Sequence, residues 1–198
     1  MAEPVARRRT QAERKATTRT LLLEATVDSL YARGYVGTTT LEVQRRAGVS
    51  RGTLLYHFGS RADLMAAAVE HVSQKRLDEA TALVNQAPPS TRRTEWAVAA
   101  LWATFDGPLF AVTLQLWQAA LSDTELLSAL LPHERLLGRS IRTKASELFD
   151  HDPDDEVFMR RFEVLIDAMR GAAARTAIRS GADDARLLAT WVALMSSS

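Results

Sequence analysis

Residues 39–64 read TTLEVQRRAGVSRGTLLYHFGSRADL: two short helix signals flank the tight pair Gly48-Val49, and the second runs into the aromatic triplet Tyr56-His57-Phe58. Thr39 with Glu42 three residues on has the spacing of a capping box, in which hydroxyl and carboxylate each take the other residue's backbone N–H. The first helix then runs through Ala47, and Gly48 ends it because glycine enters the left-handed region without a Cβ penalty. Ser50 is the expected N-cap of the second helix. Its first turn, Arg51-Gly52-Thr53, carries small or polar side chains that leave backbone N–H groups open to an anion. Val43, Ala47, Val49 and Leu54 are spaced to share one small core, which defines a helix-turn-helix whose second helix projects outward. A helix held this way enters the major groove with its first residues at the base edges, while the preceding helix crosses the phosphate backbone.

Side-chain chemistry agrees with that placement. Arg51 can take guanine bidentately, Thr53 can meet a thymine methyl or a phosphate, Tyr56 can reach a phosphate or sugar, and Gly52 allows close approach. Arg45 and Arg46 on the first helix and Arg61 at the next helix start are expected phosphate anchors, and His57 is expected to support or touch the backbone. Thr39 and Ser50 complete the expected DNA-facing set. One short helix reads too few bases for useful specificity, so a homodimer on a near-palindromic double-stranded operator is expected.

Over roughly residues 19 to 70 the chain resembles the TetR family of one-component transcriptional regulators. The resemblance is carried by Leu22, Leu23 and Ala25, then Gly34-Tyr35, Thr38-Thr39, Ala47-Gly48-Val49-Ser50, Gly52-Thr53-Leu54, His57-Phe58, and Ser60-Arg61 ahead of Leu64. Leu55 departs from the family's usual Tyr, which commonly touches a phosphate, and Tyr56 follows one place later. Gln44 stands where the first short helix usually has Ala. The resemblance implies a homodimeric repressor whose diverged C-terminal domain binds a small inducer and dimerises through a four-helix bundle. Within transcription the alternative is an activator or a ligand-independent DNA-binding protein; outside it, a helical enzyme or carrier that retains the motif.

Charge is distributed in the same sense. The 198 residues sum to +1, yet residues 1–62 hold eleven Lys/Arg against five Asp/Glu, while residues 63–198 hold fourteen against nineteen. The basic stretch is the one with the motif, as phosphate neutralisation requires, and it implies binding that weakens steeply with salt. There is no cysteine, so disulfides and thiolate metal sites are excluded. Met1 to Thr20 has no apolar stretch of signal-peptide type, and the longest apolar-leaning run, Trp96 to Phe105, is about half a membrane span. A cytoplasmic protein without membrane contact is expected.

Three segments follow. Residues 1–10, with Arg7-Arg8-Arg9, read as a disordered basic arm. Residues 11–64 form the helix-turn-helix DNA-binding domain, opened by a helix that Gly34 closes. Residues 65–198 form the ligand-binding and dimerisation domain. Ser60 with Asp63 caps a long helix from Arg61 to near Asn85 that belongs to both. Further helices are expected at 91–104, 108–121, 124–149 with a bend at Pro132, 153–180 and 183–195. No strand-length alternation appears, so the fold is all-α with about nine helices. The last two helices are more apolar than one small core needs, which suggests that their surplus faces meet in the dimer.

The ligand site expected from the resemblance uses apolar walls with a few polar tips: Trp102, Phe105, Phe110, Thr113, Trp117, Gln118, Phe162 and Met169. Such a site suits a hydrophobic or aromatic inducer with few charges. Around His151, Asp150, Asp152, Asp154 and Asp155 lack the glycine and terminal glutamate of a calcium loop. Asp152 is instead expected to cap a helix beginning at Pro153, with Asp155 complementing its dipole. No nucleophile, acid and base come together at catalytic spacing, and no cofactor or metal is expected.

Overall fold

Thr10 opens the first helix with a complete capping box: its hydroxyl accepts the Glu13 N–H at 3.2 Å while the Glu13 carboxylate accepts the Thr10 N–H at 2.7 Å. The computed structural model describes residues 10–89, 92–176 and 184–196. The expected basic arm, apart from Thr10, and the expected helical residues 177–180 lie outside them. Among the described residues the fold is all-α. Its elements are α1 (Gln11–Gly37), α2 (Thr40–Ala47), α3 (Arg51–His57), α4 (Arg61–Gln86), α5 (Arg93–Thr104), α6 (Pro108–Ala120), α7 (Thr124–Phe149), α8 (Glu156–Thr176) and α9 (Asp184–Ser196). Two compact units divide after Ala68, within α4, a few residues beyond the boundary read from sequence.

In the first unit Leu22, Leu30, Val43, Leu54 and Leu64 are essentially sealed from solvent. They come from four helices, so one small core holds α1 to α3 and the start of α4 together. Gly34 breaks α1 at φ 71°, and the Thr38 hydroxyl donates to its carbonyl at 2.8 Å, turning the chain toward α2. Gly48 ends α2 in the left-handed region at φ 64°. Thr39 caps α2 through the Glu42 N–H, but the reciprocal half of the expected box is replaced. Glu42 Oε1 instead takes Arg33 Nε at 3.0 Å and Arg46 Nε at 2.9 Å. Two guanidiniums compete better for a carboxylate than one neutral N–H does, and the Thr39 N–H turns to the Gly37 carbonyl.

The second unit packs α5, α7, α8 and α9 around Val98, Phe149, Phe158, Phe162, Leu165, Met169 and Trp191. Arg93 at the start of α5 donates to the carbonyls of Leu148 and Glu147, satisfying the last turn of α7. Pro132 lies within α7, which runs from Thr124 to Phe149. The start of α8 differs from the sequence reading. Asp155, not Asp152, is the cap, accepting the N–H groups of Val157 and Phe158 at 3.0 Å each. Those bonds hold its carboxyl below the ordinary carboxylate range. Asp152 accepts the Asp154 N–H in the turn before it, because Pro153 sits in that turn rather than inside the helix. Among the described residues no single helix is long and apolar enough to cross a membrane; α5 and α6 reach that length only together, bent by 61°.

Candidate nucleic-acid interface

The tip of α3 is built for exposure. Ser50 Oγ accepts the Thr53 N–H at 3.1 Å and lies 2.9 Å from Thr53 Oγ1, which fixes the first turn without any side chain covering it. Leu54 pins the inner face of the helix, and Phe58 is buried just past its end. The outer face is left to Arg51, Gly52, Leu55 and Tyr56, all exposed, with Tyr56 at 69%. A Cβ built on Gly52 meets only Ser50 Oγ, at 3.8 Å, so the protein itself does not require glycine there. The space a side chain would fill lies outside the molecule.

The other expected residues fall into two groups. Thr39, Arg45 and Arg46 are on or beside α2 with partial or full exposure, Arg46 carrying the ion pair to Glu42. Arg61 departs from the expected open phosphate anchor. Its Nη2 donates to the Tyr35 carbonyl at 2.8 Å, its Nε to the Thr38 carbonyl at 3.2 Å, and its guanidinium covers the Tyr35 ring. A planar fork that finds two backbone acceptors and an aromatic face within reach is held inside the fold.

Three cations that the motif did not single out join the tip of α3 by tertiary packing. Lys15 Nζ lies 5.0 Å from the Tyr56 ring centroid, and Arg19 sits over Phe58 at 4.6 Å. Gln11, Arg14, Lys15 and Thr18 of α1 line an open groove with Tyr56. His57, edge-on to Tyr56 at 5.3 Å, is held below the ordinary histidine range by its burial and by the charges of Lys15 and Arg19. The surplus of Lys and Arg near the N-terminus could have signalled this cluster; its address on the fold could not be read from it.

A capped, bare helix tip behind a glycine turn, with cations gathered beside it, is the geometry of a groove-reading helix-turn-helix. Residues 22–68 match the family model for bacterial regulatory proteins of the tetR family. The N-terminal domain is a TetR-family domain. The chain is 33% identical over 122 residues to an uncharacterized HTH-type transcriptional regulator of Mycobacterium tuberculosis, a stretch covering 62% of this chain and 63% of that one. The match thus spans under two thirds of the relative's length. In fold, a putative TetR-family regulator of Mesorhizobium loti superposes with a TM-score of 0.73 at 16% identity, covering 92% of this chain and 95% of that one. The multidrug binding protein EbrR, solved with ethidium, superposes at 0.65 with 19% identity over 89% and 97% of the two chains.

Outside the TetR domain, a cavity of about 50 Å³, within about 550 Å³ of free space when its mouth is counted, lies in the second unit. Of the residues expected to hold ligand, Phe105 and Phe110 line it. The remaining six do not. Trp102 is stacked on Phe105 and tilted against Trp191, Phe162 and Met169 are spent in the core, and Gln118 is exposed. Thr113 returns its hydroxyl to the Leu109 carbonyl, and Trp117 lies under the Arg170 guanidinium at 5.1 Å. Arg76, Glu79 and Arg170 line the cavity instead, so its wall is more charged than expected. Burial pushes the Glu79 carboxyl up against the opposing pull of Arg76 and Lys75. It also pulls the Arg76 guanidinium down, against Glu134. Among the described residues no three metal-ligating side chains come together.

Proposed function

We propose that this chain is a sequence-specific DNA-binding transcriptional regulator of TetR type, acting as a homodimeric repressor that leaves its operator when a small molecule occupies the second unit. The observation that carries the reading is the exposed first turn of α3, with Arg51 and Thr53 at the tip, Gly52 leaving room for a base edge, and Lys15 beside Tyr56. Two such tips are needed for a specific site. On α8, Val157 and Val164 are exposed with Ala168 and Gly171, and on α9 Ala185, Ala189 and Ala193 are exposed at helical spacing. These mostly small side chains allow close helix approach and support pairing of α8 and α9 with their copies.

Ligand response is supported by one continuous helix, α4, that carries both Arg61 of the first unit and the cavity residue Arg76. Ligand shifts the population only as far as its affinities for the DNA-competent and DNA-incompetent forms differ. A 100-fold loss of operator affinity takes about 2.7 kcal/mol of coupling, within the ordinary allosteric range. The test is selection of bound duplexes from a random library by the purified full chain. Arg51→Ala with Thr53→Ala should abolish the selected sequence preference while sedimentation still reports a dimer. Undiminished operator affinity in that double variant would falsify the reading.

A further inference from the structure

The ligand's chemical class follows from the cavity wall, an inference that deepens the proposed ligand response and rests on it. Arg76 on α4 and Arg170 on α8 stand among Leu83, Leu101, Phe105 and Phe110. Arg76 Nη1 and Arg170 Nε are both buried without a hydrogen-bond acceptor in the protein. Unpaired charged N–H groups are costly to leave in an apolar setting, and two like charges on one cavity oppose each other as well. Both penalties are relieved by the same thing, an anion supplying acceptor oxygens. Glu79 lines the cavity, Asp167 Oδ1 takes Arg170 Nη1 at 3.1 Å, and Glu134 is close enough to favour the charge of Arg76. Two guanidiniums meet three carboxylates, of which burial pushes Glu79 toward its neutral form, so the site has N–H donors to spare but close to no net charge, which suits at most one added negative charge.

We propose that this cavity binds a small monoanionic carboxylate with an apolar body, its oxygens accepting from Arg76 Nη1 and Arg170 Nε and its body resting on Leu101, Phe105 and Phe110. Guanidinium matches carboxylate geometrically as well as electrostatically. Arg76 Nη1 and Arg170 Nε are themselves shielded from water, and the aromatic edges select against fully polar acids. Arg76 lies on the helix that begins at Arg61, so neutralising it acts on the element assigned to the switch.

Benzoate and hexanoate, their neutral amides benzamide and hexanamide, phenyl phosphate, and the cation ethidium are titrated into the purified full chain, read by melting temperature and calorimetry. At least one carboxylate should bind about 10-fold or more tightly than its amide, and R76Q or R170Q should reduce that preference to about 3-fold or less. Several outcomes overturn the proposal: an amide or ethidium matching the carboxylates, phenyl phosphate exceeding them, no carboxylate response up to about 10 mM, or an intact preference in both folded variants. If neither variant folds, the carboxylate-to-amide ratio of the unaltered chain decides. Duplex selection is run separately. A chain that selects duplexes but ignores carboxylates refutes only the ligand class, whereas one that binds carboxylates and ignores duplexes refutes the regulator.

Discussion

The Arg61 guanidinium lies 4.5 Å over the Tyr35 ring and donates from Nη2 to the Tyr35 carbonyl at 2.8 Å. This clasp ties the first residue of α4 to the corner where α1 gives way to α2, twenty-six residues away in sequence. Arg61→Lys keeps the charge but loses the fork, and Arg61→Ala loses both. Each should destabilise the protein by about 1–3 kcal/mol, the alanine variant more, as measured by denaturant unfolding. An unchanged midpoint in both would show that the clasp contributes nothing.

Gly52→Ala separates stability from binding. Its Cβ meets only Ser50 Oγ at 3.8 Å, and alanine in a helix gains up to about 1 kcal/mol over glycine, so the melting temperature should hold or rise. Operator affinity should nonetheless fall about 10-fold or more, because the new methyl occupies the space needed by a base edge. Equal affinity would mean that nothing approaches α3 at that point.

Lys15 and Arg51 should fail in different ways. Lys15→Ala should weaken binding to all duplexes alike and reduce the slope of log affinity against log salt by about 1. Arg51→Ala should cost about 1–3 kcal/mol on the preferred sequence and relax the choice at one base position. Competition titrations over a salt series distinguish the two patterns.

His57 gives a pH dependence whose sign is set by its neighbours. Burial, Lys15 and Arg19 hold its pKa below 6.5, so between that lowered value and 6.5 the unfolded chain binds the extra proton and the free protein loses stability as pH falls. A phosphate beside Lys15 and Arg19 opposes the two cations and raises the His57 pKa, so DNA binding takes up a proton. Operator affinity should therefore increase from about pH 8 to about pH 6, and His57→Gln should remove that part of the increase. Identical pH profiles for the two proteins would exclude His57 from the interface.

Much of the first unit was legible locally. Thr39, Gly48, Ser50 and Ser60 each act on backbone groups within a few residues, and all four do in the fold what their spacing predicts. Legibility failed where competition came from afar. Glu42 left the expected box because Arg33, nine residues upstream, reaches it as well as Arg46. Lys15, Arg14 and Arg19 joined the tip of α3 although no motif placed them there.

Helix content, the caps of α2, α3 and α4 and the glycine turn between α2 and α3 were determined by the chain itself, because a cap and a hydrophobic period need only neighbours three or four residues apart. The second unit was decided by tertiary packing. Aromatic residues at helical spacing look the same whether they only fill a core or also line a cavity, and assembly of α4 to α9 put Phe105, Phe110, Phe162 and Met169 into one core of which only Phe105 and Phe110 reach the cavity. The same assembly brought Arg76 and Arg170, ninety-four residues apart, onto one cavity and buried Nη1 of the first and Nε of the second without an acceptor, which makes them an anion-seeking pair.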